Sequence, residues 1–145
     1  LTALSQLPQP PQHAVNAALG DAARLLGYDV SQATPGAPLD VTLYWQADRP
    51  LPTDYSVFVH LLAPDGSIIS QVDQQPGLGH YPTSAWRSGE IVADPYTLTV
   101  PPGTAPGAYK LAVGWYDASG TRLPVRDASG ALQPDNRLLL DVDIR

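Results

Sequence analysis

Apolar and polar side chains alternate strictly along the stretch that begins at Gly107. Tyr109, Leu111, Val113 and Trp115 fall on one face, and Lys110, Ala112, Gly114 and Tyr116 on the other. A period of two after a turn rich in Pro and Gly (Pro101–Gly107) predicts a half-buried strand over 108–116. The same alternation places Leu39, Val41, Leu43, Trp45 and Ala47 on one side of a strand over 39–47. It places Leu138, Leu140, Val142 and Ile144 on one side of a last strand over 137–144. Tyr55–Ala63 is apolar on both faces at its centre, as expected of a sandwich strand with partial cover on its outer side. Shorter runs predict further strands over 24–31, 67–73, 90–93, 96–100 and 121–125, with Asp94-Pro95 separating two of them.

Turn chemistry punctuates these runs. Pro64-Asp-Gly66 presets one φ and supplies a left-handed position, and Pro50 and Pro52 stop a ladder. Strands every 8–12 residues between Pro/Gly corners predict an all-β fold, an immunoglobulin-like antiparallel β-sandwich of about eight to nine strands. Tyr109, just past its corner, is expected to bond the backbone of the Pro101–Pro106 turn, as corner tyrosines do. Leu111, Trp115 and Trp45 are expected in the core. Tyr28, Tyr44 and Tyr116 alternate opposite to core positions, which predicts an exposed aromatic surface. Residues 1–19 read as an N-terminal linker, with Pro8, Pro10 and Pro11 marking an extended tether over 1–12 and a possible helical turn over 13–23; the sandwich domain is expected over 20–145.

Composition narrows the function classes. The 145 residues contain no cysteine, which leaves no disulfide framework and no Cys-based metal site. The net charge is −6 and the eight basic residues are scattered singly, so no basic stripe exists to collect phosphates and no nucleic-acid partner is expected. Thirteen of the fourteen acidic residues are Asp, with Glu90 alone of its kind; that bias favours turns over helices. No apolar run reaches the length of a membrane span. The chain starts at Leu1, contains no Met and has no signal-peptide pattern, so it is expected to be a piece of a longer protein.

Candidate chemistry is sparse. No Gly-x-Ser-x-Gly elbow is present, and His13, His60 and His80 lack the spacing of zinc ligands. The repeated Asp-Ala-Ser-Gly at 117–120 and 127–130 is better explained by two similar hairpin turns than by a calcium loop. His60, between Val59 and Leu61, reads as a partly buried histidine bonded to a neighbour. Asp73, Glu90 and Asp94 flank the one long irregular stretch, 74–89, and would serve a hydrolase only if they converged. No cofactor, metal or catalytic residue is expected. The loop itself mixes rings with short polar groups, as a sugar site needs: His80, Tyr81, Trp86 and Arg87, with Asp73 close in sequence. The competing reading makes Trp86 a plug in one open end of the sandwich and packs Tyr81 under the loop.

Taken in order, Leu25-Leu-Gly-Tyr-Asp29, Val41–Gln46, Val57–Leu62, Tyr81–Trp86, Gly89-Glu90, Pro106–Tyr109 and Val113–Asp117 give a resemblance over about residues 20–145. The chain resembles a β-sandwich accessory domain found near the C-terminus of bacterial polytopic membrane proteins of the glycosyltransferase type, similar to dolichyl-phosphate-mannose-protein mannosyltransferases. The resemblance implies a non-catalytic, extracytoplasmic domain on the outer face of the cytoplasmic membrane, partnered by the membrane-embedded part of the same polypeptide. It carries over no catalytic residue. The alternatives from the residues are a carbohydrate-binding module that uses the 74–89 loop, with glycans as partner, and a small hydrolase.

Overall fold

The computed structural model describes residues 9–145 of the chain. Nine strands run in the order β1 (His13–Leu19), β2 (Ala23–Val30), β3 (Pro38–Ala47), β4 (Ser56–Leu62), β5 (Ile68–Gln74), β6 (Ile91–Thr99), β7 (Gly107–Tyr116), β8 (Val125–Arg126) and β9 (Leu138–Ile144). They form a five-stranded sheet, β6-β3-β2-β1-β8, and a four-stranded sheet, β5-β4-β7-β9, with every strand pair antiparallel. The fold is an all-β sandwich.

The alternation in the sequence sets which face each strand buries. Leu39, Val41, Leu43, Trp45 and Ala47 of β3 are all buried, and so are Tyr109, Leu111, Val113 and Trp115 of β7 and Leu138, Leu140, Val142 and Ile144 of β9. Trp45 and Trp115 meet edge-on between the sheets, with ring centroids 5.2 Å apart at 65°. The Tyr109 hydroxyl donates to the Ala105 carbonyl at 2.6 Å, the bond expected of a corner tyrosine. It fastens the crossing from β6 to β7. The two Asp-Ala-Ser-Gly segments are alike: Asp117 Oδ1 accepts from Ser119 N at 2.9 Å, and Asp127 Oδ1 from Ser129 N at 2.9 Å. Each aspartate uses its side chain to close its own turn.

Four expectations are corrected. Residues 13–19 are not linker or helical turn but β1, paired with β2 and β8, and Pro11 is already buried against Gly27. Val15, Ala17 and Leu19 give this strand its inward side, and Asn16 takes a left-handed φ of 60° where the register shifts. Residues 1–8, the rest of the expected tether, lie outside the described residues. Second, Asp94-Pro95 does not break the chain: β6 is one strand, and its place at the sheet edge lets a residue without N–H stay in line. Third, Tyr28 is buried rather than part of an aromatic surface, because a bulge between Leu25 and Gly27 turns the rest of β2 over; the Tyr28 hydroxyl donates to the Asp141 carbonyl at 2.8 Å. Fourth, the strand expected over 121–125 shrinks to a bridge from Tyr116 to Arg122 and the two-residue β8.

Candidate functional sites: the 74–89 loop and the outer face of the four-stranded sheet

The loop crosses from β5 in one sheet to β6 in the other and closes one end of the sandwich. Its most apolar ring goes inward. Trp86 is 3% exposed and packs edge-on against Trp115, centroids 5.6 Å apart at 77°. Its indole N–H donates to the Tyr81 carbonyl at 3.1 Å. Trp86 is therefore a plug, and it offers no free ring face for a sugar to stack on. Tyr81 is half-buried beside it, and its hydroxyl donates to the Glu90 carboxylate at 2.7 Å. That acceptance, with some burial, raises the Tyr81 phenol above its ordinary value. Glu90 also caps the Arg87 backbone N–H at 2.8 Å. Thr83, fully buried, accepts from Tyr55 N at 3.0 Å and donates to the Thr53 carbonyl at 2.7 Å. Gly77 is required: its φ is 67°, and a Cβ there would come within 2.7 Å of the Tyr81 side chain.

One carboxylate pins this loop to the core. Asp94 points inward from β6 with no exposed surface. Its Oδ1 accepts from Gly77 N at 2.8 Å, and its Oδ2 from the Trp45 indole at 3.0 Å and the Tyr96 hydroxyl at 2.5 Å. Burial pushes the Asp94 carboxyl up from its ordinary value, opposed by the bonds from Tyr96, Gly77 and Trp45. Burial also raises the Tyr96 phenol, helped by the Asp94 charge. The three acids a hydrolase would have to bring together hold separate partners: Asp94 this set, Glu90 the loop, and Asp73 a third group on the far side of its sheet.

That third group lies on the outer face of the four-stranded sheet. Register decides its members. Phe58 stands between Asp73 and Gly114, His60 between Gln71 and Ala112, and Tyr116 opposite Arg122, all pointing away from the core. Phe58 is 1% exposed and His60 7%, so this face is covered, as the two-sided apolar pattern of β4 predicts. The cover is a guanidinium: Arg122 sits 4.2 Å over the Phe58 ring and donates to the Asp135 carbonyl at 3.0 Å. Gly114 makes room, since a Cβ there would meet the Phe58 ring at 2.5 Å.

Polar groups here are less fully used than in the loop. His60 Nε2 is buried without a hydrogen bond; Asp73 Oδ1 is 3.4 Å away. At that separation, and with no partner that meets hydrogen-bond geometry among the described residues, the contact is not a well-aimed bond. Burial holds the imidazole below its ordinary value, Asp73 opposes this, and the Arg122 and Arg137 charges add to it. The Tyr116 hydroxyl reaches Asp73 Oδ2 at 3.1 Å, and burial together with that bond raises its phenol. Arg137, half-buried, has its nearest carboxylate, Asp135, at 3.9 Å. Next to it a groove of about 380 Å³ opens over Leu62, Ala108 and Leu139, with Lys110 on its rim.

Of the residues expected to form a ligand site, His80 and Arg87 are exposed on the loop, Tyr81 and Trp86 are packed into it, and Asp73 belongs to the outer face instead. Arg122 and Arg137 join the outer face without a sequence signal, because single arginines between Asp-rich turns point to nothing until the strands are paired. Among the described residues, no group of three or more His, Cys, Asp or Glu could hold a metal ion, and no helix is long and apolar enough to cross a membrane.

No protein-family model and no curated protein sequence matches the chain. Among solved structures it is similar to the C-terminal domain of wzt, with a TM-score of 0.61 and 13% identity, over 93% of this chain and 81% of that one. At that identity the likeness concerns the fold alone.

Proposed function

We propose that the chain is a non-catalytic accessory domain of a larger membrane protein of the glycosyltransferase type, standing on the outer face of the cytoplasmic membrane. The observation that supports this reading best is how the acids are used. Asp94 is consumed by three bonds that hold the loop to the core, and Glu90 by two that hold the loop to itself. An acid or base in catalysis must instead face a cleft and exchange protons with a substrate. A solved structure similar to it in fold is also a terminal domain of its protein. The gene provides the test: coding sequence upstream of Leu1 is expected to specify several hydrophobic spans. A short soluble reading frame ending here would remove the proposal.

A second reading, carbohydrate binding, draws on the open groove and the underused polar groups of the outer face rather than on the 74–89 loop. Isothermal titration of the chain against a glycan panel tests it. Saturable binding that survives Arg87→Ala but not changes at the outer face would support it.

A further inference from the structure

The groove beside Arg137 has a definite chemical character. Its floor, Leu62, Ala108 and Leu139, is aliphatic, and Leu139 is 46% exposed although flanked by core residues on β9. Its polar lining is cationic: Lys110 and Arg137. Lys110 is paired with Asp141 across the β7–β9 ladder. Arg137 is not matched in this way, its closest carboxylate being the largely exposed Asp135 at 3.9 Å. Beyond it, Arg122 gives its Nη1 to a carbonyl, and His60 Nε2 lies buried with no bond. A chain of net charge −6 thus keeps two guanidiniums on one sheet face, and among the described residues the only carboxylate within 4 Å of either is Asp135, 3.9 Å from Arg137. The volume, about 380 Å³, falls within the range of roughly 300–1,000 Å³ for small-ligand sites.

We propose that this groove binds an acidic sugar of a glycan, the apolar face of the ring lying on Ala108 and Leu139 and its carboxylate or phosphate meeting the Arg137 guanidinium. The planar fork of an arginine suits either anion, and a partly desolvated guanidinium discriminates strongly against a neutral group of the same shape. Lys110 lines the same groove, and Arg122 lies farther along this face, over Phe58 in the row of Gly114. This inference rests on the carbohydrate-binding reading.

The test is isothermal titration of the chain with trigalacturonate, mannose phosphate and the neutral galactotriose. The expected result is saturable binding of an acidic probe, about tenfold or more tighter than galactotriose and weakened by added salt. A response to trigalacturonate alone would identify a carboxylate sugar, and to mannose phosphate alone a phosphorylated one. Arg137→Gln and Leu139→Asp, checked for an unchanged melting temperature, should each weaken binding about tenfold or more, while Arg87→Gln and His80→Ala leave it intact. Equal binding of galactotriose, or loss in Arg87→Gln but not in Arg137→Gln, would overturn the groove and its anion while leaving glycan binding in place. No binding of any of the three probes would overturn both.

Discussion

The 74–89 loop and the outer face of the four-stranded sheet are built from similar residue types, and they are used in opposite ways. Each combines two aromatic rings and a histidine with arginine and carboxylate side chains. In the loop the ring that could stack on a ligand is turned into the core, and the carboxylates of Glu90 and Asp94 are filled with donors. On the sheet face a histidine nitrogen is buried without a bond, and a guanidinium lies beside an open groove. A long irregular loop therefore invites a functional reading that its packing withdraws, whereas a regular strand can carry the freer chemistry.

The largest effect that separates the two regions is expected at Trp86. If it is a plug, Trp86→Ala should cost about 3–5 kcal/mol of stability, the usual cost of removing a buried tryptophan. Urea unfolding measures it. A loss under 1 kcal/mol would mean the ring is dispensable to the fold, and would return the loop to candidacy as a ligand site.

Asp94→Asn should come next. The carboxylate accepts three bonds through two oxygens, and an amide has only one acceptor oxygen. Either the Gly77 N–H or the Trp45 and Tyr96 donors would lose their partner, at about 1–3 kcal/mol. Hydrogen exchange should also show the Gly77 amide opening faster than the β3 amides. Equal protection would mean that Asp94 does not tie the loop down.

On the sheet face, Gly114→Ala is expected to cost about 1–3 kcal/mol, because the added methyl collides with a Phe58 ring pinned beneath Arg122. The effect is smaller than at Trp86 because the ring can tilt outward by displacing a solvent-facing guanidinium. If the variant is as stable as the parent, Arg122 does not hold the ring, and the face is looser than described.

These contrasts also explain what was legible in the sequence. Strict alternation exposed β3, β7 and β9 together with their inward faces, and the corner before Tyr109 exposed the sandwich. Alternation fails where the register slips: the bulges at 14–17 and 25–27 hid β1 and reversed Tyr28. β6 was hidden differently, since Pro95 reads as a breaker unless the strand is known to lie at an edge. The loop gave a composition suited to sugars, and composition does not say which way a ring points. Arg122 and Arg137 are 62 or more positions from Phe58 and His60 in sequence, so only strand pairing brings them together.

The smallest effect concerns the protonation of His60, and its sign is decisive. The charged groups acting on this imidazole are Asp73, which also accepts from the Tyr116 hydroxyl, and Arg122 and Arg137. Burial and the two guanidiniums disfavour the charged form; the one carboxylate, at 3.4 Å with its side chain 32% exposed, favours it. The first set prevails, so the folded chain binds this proton less readily than the unfolded chain. The resulting stability is fully present above the ordinary imidazole value of 6.5 and is lost as pH falls below it. Stability measured by urea unfolding between pH 7 and about pH 5 should therefore decline more in the parent chain than in His60→Gln. A parent chain that grew more stable than the variant on acidification would show the Asp73 contact to be a true ion pair. The polar groups of this face would then be satisfied internally, as those of the loop are.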